Sequence, residues 1–180
     1  MMSSAGKNKI IDNPIDLDIL SMCMHFLEPK RHLGKEKKNY VQRFDPTGQK
    51  YLNSLMPQFQ GRWEFEFFHS ELPVLYHTDT IPGNDGDLGF ILPLDWSEGH
   101  VPATLMYKWW SDRRVMYAGK NEVRYVDNDE LALTVTEDIL RVDLVFEWAK
   151  NKALIFDCKQ LHSARKFENG WKEFIIGFVV

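Results

Sequence analysis

The periodicity of this chain changes near residue 61, and that change limits the folds open to it. Before it, apolar residues recur at helical spacing: Leu17, Leu20, Met24 and Leu27 form one stripe, and Tyr51, Leu52, Leu55 and Met56 form a second. After it the period is two. Trp63, Phe65 and Phe67 alternate with Glu64, Glu66 and Phe68, as in a strand with one face in a core. Short apolar runs bounded by turn residues follow at 88–94, 103–110, 114–117, 141–148, 153–157 and 173–180. Residues 71–79 read as a further strand, and 130–135 fit a helix or a strand. Helices come first and strands after, without βαβ alternation. That order argues against a parallel sheet and predicts a mostly β barrel or sandwich with N-terminal helices.

Local signals set the boundaries. Residues 1–8 read as a polar tail and 9–11 as a short strand. Asp12 or Asn13 is the expected cap of the first helix, with Pro14 in its first turn and Pro29 as its stop. Asp45-Pro46 opens the second helix and Pro57 follows its end. Residues 30–38 are dense in Lys and Arg, which predicts a solvated loop or, alternatively, a lid. Residues 82–87, rich in Gly, Asn and Asp, read as a turn.

With 180 residues, a single domain is expected: supporting elements over 1–60 and the β core over 61–180. Hydrophobic residues at 44% are enough for a core, and a net charge of −4 argues against a broad nucleic-acid surface. Cys23 and Cys158 stand in unrelated contexts, as expected of a reduced protein. No run approaches a membrane span and residues 1–9 carry no apolar signal core. The expectation is a soluble, cytoplasmic protein.

The chemistry concentrates in His77-Thr78-Asp79 and in His162, far downstream. In a strand, residues i and i+2 share a face, so His77 and Asp79 can bind one ion together. His162 follows the apolar run 153–157 and can reach the same point from a neighbouring strand end. Two imidazoles and one carboxylate occupy one face of an octahedron and leave three positions open, the facial triad of non-haem Fe(II). Zinc more often takes a closed tetrahedral set. Lys172, ten residues beyond His162, begins the last strand. There it can meet the distal carboxylate of a dicarboxylate cosubstrate held on the metal.

This set resembles the signature of the Fe(II)/2-oxoglutarate-dependent oxygenase superfamily: HxD, a long gap, a distal histidine and a basic residue on the next strand. Its lysine spacing is similar to that of the prolyl-4-hydroxylase-like branch. The stretches Gly89-Phe90-Ile91-Leu92-Pro93-Leu94-Asp95-Trp96, Leu154-Ile155-Phe156-Asp157 and Leu161-His162-Ser163-Ala164 also resemble small members of that superfamily. The likeness covers roughly residues 63–180, and residues 9–60 match only loosely.

The resemblance implies a double-stranded β-helix, a jelly roll of cupin-like form. It implies Fe(II) on His77, Asp79 and His162, with 2-oxoglutarate and O2 as cosubstrates, and release of succinate and CO2 as a C–H bond is hydroxylated. Asp79 favours hydroxylation over halogenation, because halogenating relatives lack this carboxylate. Arg165 can contact 2-oxoglutarate, hold a substrate carboxylate or pair with Glu168. Tyr76 and Tyr107 are the hydroxyls on offer to the cosubstrate. The expected partner is a small-molecule, amino-acid or peptide substrate. Two alternatives are a cupin-like metal-dependent dioxygenase that does not use 2-oxoglutarate and a non-catalytic jelly-roll binding module. The remaining features read blandly: His25, His69 and His100 as structural or exposed, Trp109-Trp110 as core or pocket wall, and Asp112-Arg113-Arg114 as a polar loop able to meet an anionic substrate.

Overall fold

The computed structural model describes residues 8–55, 62–72, 75–80, 88–99, 101–136, 140–165 and 170–180. Residues 1–7 of the tail, Pro57, the 82–87 turn, His100 and Glu168 lie outside them, whereas Asn8 is tied down, donating to Gln160 at 2.8 Å.

In chain order the strands and helices are β1 (Lys9–Asp12), α1 (Leu17–Cys23), β2 (Arg31–Leu33), β3 (Asn39–Arg43), α2 (Pro46–Leu55), β4 (Trp63–Ser70), β5 (Leu88–Trp96), β6 (Ala103–Trp110), β7 (Val115–Gly119), β8 (Glu122–Tyr125), β9 (Leu131–Thr134), β10 (Val142–Glu147), β11 (Lys152–Asp157), β12 (Gln160–Ala164) and β13 (Lys172–Val179). A seven-stranded sheet runs β1-β11-β5-β13-β4-β3-β2, and two three-stranded groups run β10-β6-β12 and β7-β8-β9. The pairings between named strands are all antiparallel. This is the mostly β jelly roll that the periodicity and the resemblance predict.

The two faces of β13 explain the layers. Phe174 packs with Ile91, Met106, Phe146, Trp148 and Phe156 between the sheets, with Ile176 and Phe178 beside them. Ile175 points the other way, into a core of Leu20, Leu52, Phe65 and Phe90 under the helices. Gly177 is needed on that side because a Cβ there would lie 2.6 Å from the Phe65 ring. A third cluster gathers Tyr107, Val115, Val123 and Leu161.

Helix α2 does more than cover a face. The side-chain amide of Gln49 takes the amide of Phe65 at 2.9 Å and gives to its carbonyl at 2.7 Å. Asn53 does the same for Trp63, at 2.9 and 2.8 Å. These two residues of β4 lie beyond the end of β3, which pairs only with residues 66–70. The helix side chains complete the strand's hydrogen bonds where a neighbour strand is missing.

Several expectations are corrected. The first helix is capped by Asp16, whose carboxylate accepts from the amides of Asp18 and Ile19 at 2.9 and 3.3 Å. Asn13 instead adopts φ 50° in a turn, its side chain accepting from Asn151 at 2.6 Å. The helix passes into a 3-10 turn at Met24–Phe26 well before Pro29, and Leu27 bridges Phe44. Leu17 and Tyr51 are exposed, whereas Leu20, Cys23 and Leu52 are buried, and Met56 lies outside the described residues. Of the expected strand at 71–79, the described residues 71–72 and 75–79 form no regular strand, only isolated bridges at His77, and residues 73–74 lie outside the described residues. The basic segment 30–38 is not a loop throughout. Its Arg31, His32 and Leu33 form a short edge strand paired with β3, and charge on a short edge discourages further pairing. Residues 131–134 are strand, and Cys23 and Cys158 are both free and buried.

Candidate metal centre

The site begins with a backbone pairing. The amide of His77 donates to the carbonyl of His162 at 3.0 Å, and that of His162 donates back at 2.9 Å. Two residues that exchange both bonds stand directly opposite with side chains on one face. The same residue bridges Met116 on β7. The short segment Tyr76–Thr78 therefore links β12 to β7: His77 bonds His162, and on the other side the Tyr76 carbonyl accepts from the Tyr117 amide at 2.8 Å. Neighbouring bonds lock this segment. The Thr78 amide donates to Val115 O at 3.2 Å, its hydroxyl accepts from the Val115 amide at 3.1 Å, and the Asp79 amide donates to Cys158 O at 2.9 Å. Thr78 is fully buried.

Asp79, two residues on, presents its carboxylate to both rings. Its Oδ2 lies 3.1 Å from His162 Nε2, and its Oδ1 lies 3.7 Å from His77 Nε2. One ligand atom from each of the three residues falls within 4.8 Å of the others. Their orientation follows from the opposite ring nitrogens. Nδ1 of His77 lies 2.7 Å from Leu75 O, and Nδ1 of His162 lies 2.9 Å from Gln160 O. A carbonyl only accepts, so each Nδ1 carries a proton, and each ring in its neutral form turns the Nε2 lone pair inward. Phe156 fixes the second ring edge-on at a centroid distance of 5.0 Å.

Three electron-rich atoms therefore face one point. The Asp79 Oδ2 atom is buried and accepts no well-aligned hydrogen bond, despite its closeness to His162. Buried acceptors left without a donor are uncommon and ask for an explanation. A divalent cation satisfies all three groups at once, so the donor set fits the expected metal. In the bare site, burial lowers the His77 pKa to about 4, with a contribution from His162. Burial raises the Asp79 carboxyl, but His162 and then His77 outweigh it and bring it down to about 2. Burial also lowers His162, yet Asp79 overcomes this and raises it. The carboxylate stays ionised and His77 stays neutral, the states in which both bind metal.

The three ligands line a cavity of about 470 Å3 that also receives Lys172, Thr104, Trp148 and Arg114. Phe68, Ile91, Phe174 and Ile176 supply apolar wall. A larger groove of about 1000 Å3 beside α2 shares Asp79 and Arg114 with this cavity among the described residues. Lys172 is 2% exposed, and burial lowers its pKa to about 8. Its ammonium lies 5.0 Å from the Trp148 ring and 5.6 Å from the Phe174 ring. The structure thus brings His77, Asp79, His162 and Lys172 into one cavity.

Arg165 is elsewhere. It is partly exposed, lies 3.4 Å from Glu147, and is absent from the described lining of this cavity. Tyr107 bonds Ser163 at 3.0 Å, whereas Tyr76 lines the cavity. His69 stacks on Tyr40 at 4.7 Å and bonds Glu173 at 3.0 Å, a structural role. Leu33 and Asn39, from the hairpin read as a loop or lid, do reach the cavity. Thr104 was missed. Its hydroxyl accepts from Trp148 Nε1 at 3.1 Å, leaving its own proton to give. The available signal was parity: in β6, Thr104 shares an inward face with Met106, and a polar residue there is out of place in a core.

No family model matches the sequence, and no curated protein matches it. Solved structures do. The fold is similar to that of a Pseudomonas putida prolyl-4-hydroxylase, at 12% identity and a TM-score of 0.55, covering 98% of this chain and 93% of that one. The epimerase SnoN, solved with Fe3+, alpha-ketoglutarate and nogalamycin RO, is 9% identical with a TM-score of 0.63, covering 96% and 78%. A 2OG-Fe(II) oxygenase family oxidoreductase from Burkholderia pseudomallei is 9% identical with a TM-score of 0.52, covering 97% and 84%.

Proposed function

We propose that this chain is an Fe(II)- and 2-oxoglutarate-dependent oxygenase that hydroxylates a C–H bond. The observation that carries this reading is the buried, unsatisfied Asp79 Oδ2 facing two inward Nε2 atoms, in one cavity with a buried lysine. The structural likeness to a 2OG-Fe(II) oxygenase family oxidoreductase and to an epimerase in complex with Fe3+ and alpha-ketoglutarate supports it.

His77, Asp79 and His162 would hold the metal, with Nδ1–H bonds to Leu75 and Gln160 keeping both rings oriented. Lys172 would receive the distal carboxylate of 2-oxoglutarate. Its charge has lost water to burial, so a carboxylate gains more there than at an exposed lysine. Thr104 would add a hydrogen bond, held in register by the Trp148 indole. Phe68, Ile91, Phe174 and Ile176 keep water from the cavity. Iron with 2-oxoglutarate and O2 supplies oxidative decarboxylation to succinate and CO2, which drives the oxidation of substrate. The protein's part is to hold that chemistry dry and oriented.

The test is anaerobic titration of Fe(II)-loaded protein with 2-oxoglutarate, watching for the weak visible charge-transfer band of the chelate. The band is expected in the wild type and absent in His77→Ala. Iron binding without a band would refute the 2-oxoglutarate reading and favour the cupin-like dioxygenase. Failure to bind iron would refute the metal centre.

A further inference from the structure

Resting on the proposed cosubstrate reading, the cavity's charges specify a class of substrate. Its described lining carries three fully charged residues: Asp79, Lys172 and Arg114. A divalent ion, the Asp79 carboxylate, a bound dicarboxylate and the Lys172 ammonium together sum to zero. Among the described lining, Arg114 remains as one uncompensated positive charge. Its neighbour Arg113 is engaged, paired with Asp127 at 2.6 Å and stacked on Tyr125 at 3.8 Å. Arg114, by contrast, makes no side-chain hydrogen bond or ion pair with any described residue. It is exposed where Lys172 is buried, so the cavity has a deep cation and a rim cation.

The position of Arg114 is fixed even though its side chain is exposed. The carbonyl of Arg114 accepts from the Val126 amide at 3.0 Å, and the next residue, Val115, is bonded to Thr78 in both directions. The root of this guanidinium is therefore tied to the ligand segment itself. Its charge already acts on Asp79 and His77. Leu75 and Met116, 43% and 49% exposed, line the same cavity. An apolar rim with one free guanidinium recognises an amphipathic ligand with a single anionic group.

We propose that Arg114 is a specificity-determining residue that selects a monoanionic substrate with an apolar body, bound by its anionic end at the cavity rim. A carboxylate and a phosphate ester meet a guanidinium through the same bidentate hydrogen bonds, so the test includes both.

The experiment is calorimetric titration of Zn(II)-loaded protein, with and without 2-oxoglutarate, using octanoate, octyl phosphate and neutral octanamide. In the wild type, at least one anion is expected to bind about tenfold more tightly than octanamide. Arg114→Gln should erase that preference and leave 2-oxoglutarate affinity unchanged. Arg114→Lys should keep part of it. The tighter anion identifies the headgroup. Equal binding of anions and amide in the wild type overturns the proposal, as does a preference that survives Arg114→Gln. A tenfold loss of 2-oxoglutarate affinity in Arg114→Gln also overturns it, by assigning the residue to the cosubstrate. If 2-oxoglutarate fails to bind while the Arg114-dependent preference persists, the cosubstrate reading falls and the anion site stands.

Discussion

Replacing Lys172 with methionine should make the metal-free protein more stable while disabling its site. Burial lowers the lysine pKa from 10.5 to about 8. At about 1.4 kcal/mol per pKa unit, the ammonium destabilises the fold by about 3 kcal/mol at pH 7. Between pH 8 and 10.5 the unfolded chain holds a proton that the folded chain does not. Wild-type stability therefore rises with pH through that window, and the destabilisation is fully present below it. Methionine fills a similar volume without charge. Loss of the contacts with Trp148 and Phe174 returns about 1 kcal/mol, which leaves a net gain of about 2 kcal/mol at pH 7. Urea unfolding in EDTA, at pH 7 and again at pH 10.5, measures this gain, which should shrink towards zero or below at the higher pH. With metal present, 2-oxoglutarate at a hundred times its Kd should stabilise the wild type by about 2.7 kcal/mol and the variant by far less. A variant less stable than wild type at pH 7, or a difference that ignores pH, would refute the account of this lysine.

Two further perturbations separate the site from the fold. A Cβ at Gly89 would overlap the Phe156 ring, which packs on His162. Gly89→Ala should destabilise by about 1–3 kcal/mol and weaken metal binding in a titration. Gly177→Ala, against Phe65 under the helices, should lower stability in urea without that loss of affinity. Thr104→Val strands the Trp148 N–H and should cost about 1–3 kcal/mol, with 2-oxoglutarate bound about tenfold more weakly by calorimetry. Arg165→Ala, on the outer side with Glu147, serves as its control and should change that affinity less than twofold.

Where the chain alternates apolar and polar residues, the strands were readable, as in β4 and β13. Strand β12 was hidden because Gln160-Leu161-His162-Ser163-Ala164 has no β-branched apolar residue and turns polar groups inward. Strand β8 was hidden by its turn. Lys120 and Asn121 both take positive φ, at 51° and 60°, and the glycine stands one place earlier, at Gly119, not at either turn position. The basic hairpin of β2 and β3 was masked by charge that serves its edge. At the site, residue types and order pointed to His77, Asp79, His162 and Lys172, which the fold gathers around one cavity. The burial of Lys172, the partnership of Thr104 with Trp148, and the isolation of Arg114 from its engaged neighbour are tertiary facts. No local pattern encodes them.

The pairing of His77 with His162 gives one residue two separable duties. Its imidazole belongs to the chemistry, but its main chain bonds His162 in both directions while the flanking Tyr76 and Thr78 bond β7, and any residue except proline can supply the main-chain bonds at position 77. Alteration of the ligand need not disturb the architecture, so such a lineage can lose or exchange its metal and keep its shape. Conversely, a divalent ion clamped between His77 and His162 cross-links the seam where this segment meets β12. Slow amide exchange along the seam should therefore report metal occupancy, even with no substrate in hand.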